Sequence, residues 1–186
     1  NGGLAHWSED DIVEFLKTGR NAHTAAFSIM SEVIDYSTQH MVDSDLRAIA
    51  TYLKSLEGEE RAAPRAPDEA VMNAGAAIYF DNCSACHVGD GRGVPRFFAP
   101  LAGSGKANHQ DPTTVIRVIL EGARAVPTNT HPTPLTMPAF DWKLTDEQVA
   151  AVATYVRSSW GNRGGAVSAA DVADLRKRLN AGLGPD

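Results

Sequence analysis

Two cysteines and a histidine stand within five residues, in the segment Cys83-Ser84-Ala85-Cys86-His87. On a helix, side chains three and four positions apart are neighbours, so both thiols and the imidazole would lie along one side of a turn. This is the spacing at which a c-type haem is attached, with two thioether bonds and one iron ligand. The motif therefore predicts covalently bound haem c, held by Cys83, Cys86 and His87.

Other uses of the same five residues stay open at this point. A structural zinc site needs four ligands, and the chain has neither a third cysteine nor a closely spaced pair of histidines. A thioredoxin-type redox pair follows a strand, whereas the residues before Cys83 have a helical pattern. A plain disulfide or a chance match on a helix is the remaining alternative. Haem c is the interpretation that uses all three side chains.

Charge and composition exclude some classes of function. The chain of 186 residues carries 17 basic and 23 acidic residues, a net charge of -6, which argues against nucleic acid as a partner. The sequence contains no continuous run of 18 apolar residues, so it predicts no membrane-spanning helix. Because c-type haem is attached in an oxidising compartment, we expect a periplasmic protein, associated with the periplasmic face of the inner membrane.

The hydrophobic pattern predicts an all-α protein. Cap-like residues such as Ser8, Thr145 and Ser168 precede amphipathic runs, and Gly19 and Gly122 follow two of them. A looser region lies between Gly19 and the second helix. The predicted helices cover Trp7 to Thr18, Asp43 to Leu56, Glu69 to Asn82, Asp111 to Gly122, Thr145 to Trp160 and Ser168 to Leu183.

An internal repeat divides the chain. The segment 48–55, AIATYLKS, matches the segment 151–158, AVATYVRS, at an offset of 103 residues, and Gly19 and Gly122 share this offset. We therefore predict the C-terminal half of one haem domain at residues 1–58, a linker at 59–67, a complete domain at 68–165 and an amphipathic tail at 166–186. The offset places the first haem motif upstream of Asn1, so we expect a longer parent chain with further haems.

A second axial ligand is needed if the iron is to carry electrons without binding substrate, and a methionine thioether raises the potential. Met137 lies in a proline-fixed loop before the last major helix, whereas Met72 lies beside the haem helix and has the pattern of a core or surface residue. We predict Met137 as the ligand. For the preceding haem, Met30, in the loop between the first two helices, is preferred over Met41.

These features together resemble a class I cytochrome c, and more closely the C-terminal part of the multihaem cytochrome subunit of membrane-bound bacterial dehydrogenases, which oxidise alcohols, gluconate, sorbitol, fructose or glucose. Members of that family have three haem motifs, and this chain has one. The resemblance rests on residues 7–20, 45–56, 83–87, 100–104, 137–140 and 156–162.

The resemblance implies further roles. Pro100 matches the proline whose carbonyl accepts the N–H of the haem-ligating imidazole, and Leu101 would pack on the haem face. Gly75 and Tyr79 match positions at which the first helix of the domain crosses the last, near Tyr155.

The function implied is electron transfer by a non-catalytic subunit. Electrons would pass from the flavin or quinone cofactor of a dehydrogenase catalytic subunit, through haem, to membrane quinone or another respiratory acceptor. The alternatives are a haem enzyme of the peroxidase or oxidase type and a ligand-sensing haem domain, both of which need an open iron site. The tail would dock on its own domain, on a partner subunit or on the membrane surface.

Overall fold

The chain is described from a computed structural model covering residues 4–56, 64 and 66–182. It confirms the all-α class, since the strands found in this described part of the chain are limited to one pair of two residues each. Most of the predicted linker lies outside the described residues. The helices are α1 (Glu9–Thr18), α2 (Ile29–Tyr36), a 3₁₀ turn (Thr38–His40), α3 (Asp43–Ser55), α4 (Glu69–Asn82), α5 (Ser84–His87), α6 (Thr113–Glu121), α7 (Asp146–Ser158) and α8 (Ala169–Asn180), and the strands are β1 (Ala123–Arg124) and β2 (Thr136–Met137).

Helix starts follow from local side-chain chemistry. Ser8, Thr145 and Ser168 each accept a hydrogen bond from the backbone N–H three residues later, and the side chain there bonds back to the cap. These reciprocal bonds satisfy N–H groups that have no partner within the helix. α1 ends at Gly19, whose left-handed backbone (φ 75°) suits a residue without a side chain.

The C-terminal domain is organised around the crossing of α4 and α7. A Cβ at Gly75 would collide with the Ala151 carbonyl and lie 2.7 Å from Cβ of Tyr155, so only glycine permits this approach. Tyr79 is fully buried beside Tyr155 and Trp160, with ring centroids 5.4 and 5.0 Å away. The predicted role of Gly75 and Tyr79 at this crossing is confirmed. Because α4 runs directly into the cysteine motif, the crossing also positions that motif.

The N-terminal half packs α1 on α3. Ile12 and Leu16 of α1 meet Leu46 and Ala50 of α3, and all four are buried. The region expected to be irregular instead contains α2, so the prediction that Met30 lies in a loop was wrong. Met30 belongs to the first turn of α2. This short helix is held by the buried Ile34.

The two halves are in direct contact. Ile34 and Ala26 of the N-terminal half form a buried cluster with Val126, which follows β1 in the C-terminal half. The halves are also joined by an ion pair between Glu14 and Arg96, with 2.5 Å between Oε1 and Nε. The N-terminal half therefore has an apolar partner surface within this chain.

The tail helix α8 docks on its own domain. Val172 and Leu175 are buried in the same core as α6 and α7. Arg176 fixes the position, pairing with Asp146 at 2.7 Å and donating to the Leu144 carbonyl at 2.9 Å. This confirms the first of the three uses expected for the tail, and contact of the tail with a partner subunit or the membrane surface stays a prediction. Within the described part of the chain, no helix combines the length and apolarity needed to cross a membrane.

Candidate functional site

The cysteine motif forms one tight turn at the end of α4. Cys83 caps α4, and its carbonyl accepts hydrogen bonds from the backbone N–H groups of Cys86 and His87, at 3.2 and 2.9 Å. Both thiols are free; Cys83 is partly buried and Cys86 is exposed. Burial raises the pKa of Cys83 to about 11, with the neighbouring Cys86 as the next cause, so its thiol is held neutral.

A cavity of about 240 Å³ opens beside this turn, and its lining is mostly apolar. It is bordered by segments far apart in the sequence, from α4 and α5, the following loop, α6, β2 and α7. All six side chains predicted to bind this haem line the cavity: Cys83, Cys86, His87, Pro100, Leu101 and Met137. Met72 is not among the lining residues.

The imidazole of His87 is held by a backbone carbonyl. Its Nδ1 lies 2.8 Å from the carbonyl oxygen of Ala99, and since a carbonyl can only accept, Nδ1 is the donor. The second ring nitrogen, Nε2, is thereby left as the deprotonated, metal-binding nitrogen. Burial lowers the pKa of His87, although the bond to Ala99 opposes this, and the neutral ring is the form that binds iron.

The expectation that Pro100 supplies this carbonyl was wrong by one residue. The acceptor belongs to the peptide bond that precedes the proline ring. A residue before proline is restricted to extended conformations, so Pro100 fixes the direction of the Ala99 carbonyl. Pro100 itself borders the cavity.

Met137 reaches the cavity from β2. Its backbone pairs with Ala123 of β1, and the turn after it is tied to α6 by a hydrogen bond of 3.0 Å from the Phe140 N–H to the Ile119 carbonyl. Gly122 packs so tightly against residues 137–139 that an added Cβ there would lie 2.9 Å from the Ala139 nitrogen. The segment that carries the sulfur is therefore rigidly placed.

Asn162 is a supporting residue to which the sequence assigned no role. It is buried, donates to the carbonyls of Leu101 and Val156 at 2.8 Å each, and accepts from the Gly103 N–H at 2.9 Å. Leu101 lies on the cavity wall, so Asn162 ties this wall to the end of α7. Its place just after α7, close to Trp160 in the sequence, was the available signal.

A second cavity, of about 570 Å³, lies against the N-terminal half. Met30 lines it together with Trp7 and Phe15, whereas Met41 packs on the buried cluster between α1 and α3. The two cavities share wall residues, namely Thr24, Ala26, Phe27, Pro100, Ser104, Lys106 and Thr114. The geometry therefore places Met30, and not Met41, at a cavity adjoining the first.

The first cavity suits a covalently attached haem. Two free thiols and an imidazole with a free nitrogen border an apolar space, and a thioether lines the same space. Among the residues that the structure describes, no group of three or more metal-binding side chains is placed to hold an ion such as zinc. An apolar cavity with one soft and one imidazole ligand is the environment of an electron-transfer haem.

Comparison with protein families agrees with this geometry, because residues 72–160 match the cytochrome c family. The chain therefore contains a cytochrome c domain over these residues, and such a domain carries covalently bound haem c. It is also similar to cytochrome subunits of dehydrogenases, as the following relatives show.

The cytochrome c subunit of a quinone-type alcohol dehydrogenase from Gluconobacter oxydans (strain 621H) is 45% identical over 185 residues. The cytochrome c subunit of gluconate 2-dehydrogenase from Pantoea cypripedii is 45% identical over 190 residues, and the fructose dehydrogenase cytochrome subunit from Gluconobacter japonicus is 34% identical over 209. The alignments cover 94%, 94% and 97% of this chain, but only 39%, 42% and 42% of the relatives. The chain thus spans well under half the length of these relatives.

Proposed function

We propose that this chain is the electron-transfer part of a cytochrome c subunit that serves a dehydrogenase. The observation that carries the proposal is the convergence of the haem-attachment turn and Met137 on one apolar cavity. When bound, the haem supplies a centre that takes up and releases one electron. The protein fixes the position and the potential of that centre.

We assign His87 and Met137 as the axial ligands of this haem. The bond from Nδ1 of His87 to Ala99 orients the imidazole, and β2 with the following turn holds the sulfur. With both residues bound to the iron, no position would remain for a substrate. For this reason, and because the relatives are cytochrome subunits, we place the chain among electron carriers and not among peroxidases, oxidases or ligand sensors.

The proposed partner is the catalytic subunit of a dehydrogenase with a flavin or quinone cofactor, and the proposed acceptor is membrane quinone or another respiratory component. This follows from the names of the relatives, which belong to alcohol, gluconate and fructose dehydrogenases. We place the protein in the periplasm, at the face of the inner membrane, because that is where c-type haem is attached.

Met30 is our candidate for an axial ligand of a preceding haem. It lines the second cavity, which shares a wall with the first. Two haems in adjoining cavities would form a short relay. This assignment supports the electron-transfer role but is separate from the assignment of Met137.

The test compares Met137→Ala with Met72→Ala in the haem-loaded protein. We expect the reduced wild-type protein and Met72→Ala to bind carbon monoxide slowly or not at all, whereas Met137→Ala binds it rapidly and has a lower midpoint potential. Met72 is the matched control because it lies in the same domain, outside the cavity lining. Rapid binding of carbon monoxide by the wild-type protein would instead favour an open-site enzyme or sensor.

A further inference from the structure

The cavity that carries the haem motif has an unbalanced charge. Its lining includes three cationic side chains, those of Arg20, Arg96 and Lys106, and no aspartate or glutamate. The whole chain has a net charge of -6, so this local excess runs against the composition. Arg96 is paired with Glu14 at 2.5 Å. Among the described residues, neither Arg20 nor Lys106 forms an ion pair with a carboxylate.

Arg20 is the more deeply buried of the two. The residue is only 6% exposed, and it comes from the N-terminal half, directly after the cap of α1. Its Nη1 donates to the carbonyl of Arg96 at 3.3 Å, but its buried Nη2 has no hydrogen-bond partner. A buried guanidinium with an unused donor is costly unless an anion meets it. The orphaned donor therefore points to an anionic group inside the cavity.

Lys106 approaches the same cavity from the C-terminal domain. Its ammonium donates to Oγ1 of Thr24 at 2.9 Å and to the carbonyl of Ala25 at 3.1 Å, and it lies 4.4 Å from the centroid of the Phe27 ring. These partners are neutral, and burial lowers the pKa of Lys106 to about 8. Lys106 is thus a second cation at the cavity whose charge is not compensated by a neighbouring carboxylate.

We propose that Arg20 and Lys106 bind the propionate carboxylates of the haem attached at Cys83 and Cys86. Haem carries two such carboxylates, and the cavity offers two uncompensated cations. A guanidinium can bind a carboxylate through two parallel N–H bonds, which uses the donor left over on Arg20. The N-terminal half thereby contributes a residue to the haem site of the next domain. This inference rests on the haem assignment and not on the proposed relay.

The midpoint potential of this haem tests the proposal. A neighbouring cation opposes the ferric state, and a unit charge about 10 Å away at an effective dielectric constant of about 20 changes the equilibrium roughly tenfold. At the wild-type midpoint we expect Arg20→Met to lower the ratio of ferrous to ferric haem about tenfold, a fall of about 59 mV for one electron. Lys106→Met should shift the ratio in the same direction.

Arg20→Lys and Arg47→Met are the matched variants. Lysine keeps the charge, so Arg20→Lys should recover most of the potential. Arg47 is an exposed arginine of the same half, paired with Asp10 at 2.9 Å and outside the cavity, and its replacement should leave the potential unchanged. If Arg20→Met is not obtained with haem attached, Arg20→Gln provides the same neutral comparison with a polar side chain of similar length.

Redox-difference infrared spectroscopy gives an independent readout. We expect the propionate carboxylate bands to move in Arg20→Met and to stay in place in Arg47→Met. The proposal would be overturned if the ferrous-to-ferric ratio of Arg20→Met at the wild-type midpoint stayed within twofold of the wild-type ratio and the carboxylate bands did not move. Arg20 would then be only a contact between the two halves. An Arg20→Lys potential as low as that of Arg20→Met would also overturn it, because charge would then not be the cause.

Discussion

Gly75→Ala tests whether the crossing of α4 and α7 limits the stability of the haem domain. Two effects compete at this position. Alanine in place of glycine favours a helix by about 0.5–1 kcal/mol when nothing else changes. Against this, the new Cβ would collide with the Ala151 carbonyl and lie 2.7 Å from Cβ of Tyr155, where ordinary contact begins at 3.4 Å. Neither neighbour is the far end of a flexible side chain, so the helices must separate.

Overpacking of this kind costs about 1–3 kcal/mol, and it exceeds the helix-propensity gain. We therefore expect Gly75→Ala to lower the free energy of unfolding by about 1–2 kcal/mol. The assay is urea unfolding of the haem-loaded protein followed by far-ultraviolet circular dichroism, with the midpoint compared at unchanged slope.

Asn73→Ala is the matched control, since Asn73 is exposed on the same helix. It should leave stability unchanged or raise it slightly, because it changes helix propensity without a steric conflict. If Gly75→Ala were as stable as wild type or more so, the close approach of the two helices would not be the constraint that we infer.

Three further predictions concern the surroundings of the site. Tyr79→Phe removes the hydroxyl that donates to the carbonyl of Val88 at 2.6 Å, and Val88 is itself a β-branched residue in the left-handed region (φ 61°). We expect urea unfolding to show a loss of about 1 kcal/mol; an unchanged midpoint would contradict this. Asn162→Ala leaves the Leu101 carbonyl without its donor, and we expect the free energy of unfolding to fall by about 2 kcal/mol. Carbon monoxide should also bind faster, because the cavity wall loosens. Stability equal to wild type would count against the anchoring role. For Asp11, burial would raise the pKa, but hydrogen bonds from the N-cap serine and the nearby His23 outweigh burial and lower the pKa below 3.8. The ionised Asp11 therefore stabilises the fold above pH 3.8, and this contribution is lost as the pH falls further. An Asp11→Asn variant should lack this part of the acid transition in circular dichroism.

Most of the helices were predictable because their signals are local. Caps such as Ser8 and Thr145, followed by apolar residues at helical spacing, define α1 and α7 without knowledge of the rest of the fold. α2 was missed because Ser28 makes no side-chain cap and has a left-handed backbone (φ 56°). Its stability comes from Ile34 packing on Val126, a contact between distant segments that no local pattern records.

The part of the candidate site that depends on the spacing of residues along the chain was predictable. Cys83, Cys86 and His87 form one motif, and a Met–Pro pair before the last major helix indicated Met137. Which carbonyl meets His87 depends on the path of the loop, so the sequence could not separate Ala99 from Pro100. The uncompensated charge of Arg20 is visible only when both halves are folded together, because the residue is distant in sequence from the cavity that it lines.

We propose that two protein ligands close the haem at Cys83 and Cys86 to substrates, so that it acts as an electron carrier. The most direct measurement is the coordination of this haem in the oxidised and reduced wild-type protein by resonance Raman spectroscopy. We predict six-coordinate, low-spin haem in both states, with sulfur ligation lost in Met137→Ala and kept in Met72→Ala. A five-coordinate, high-spin reduced haem in the wild-type protein would contradict the claim.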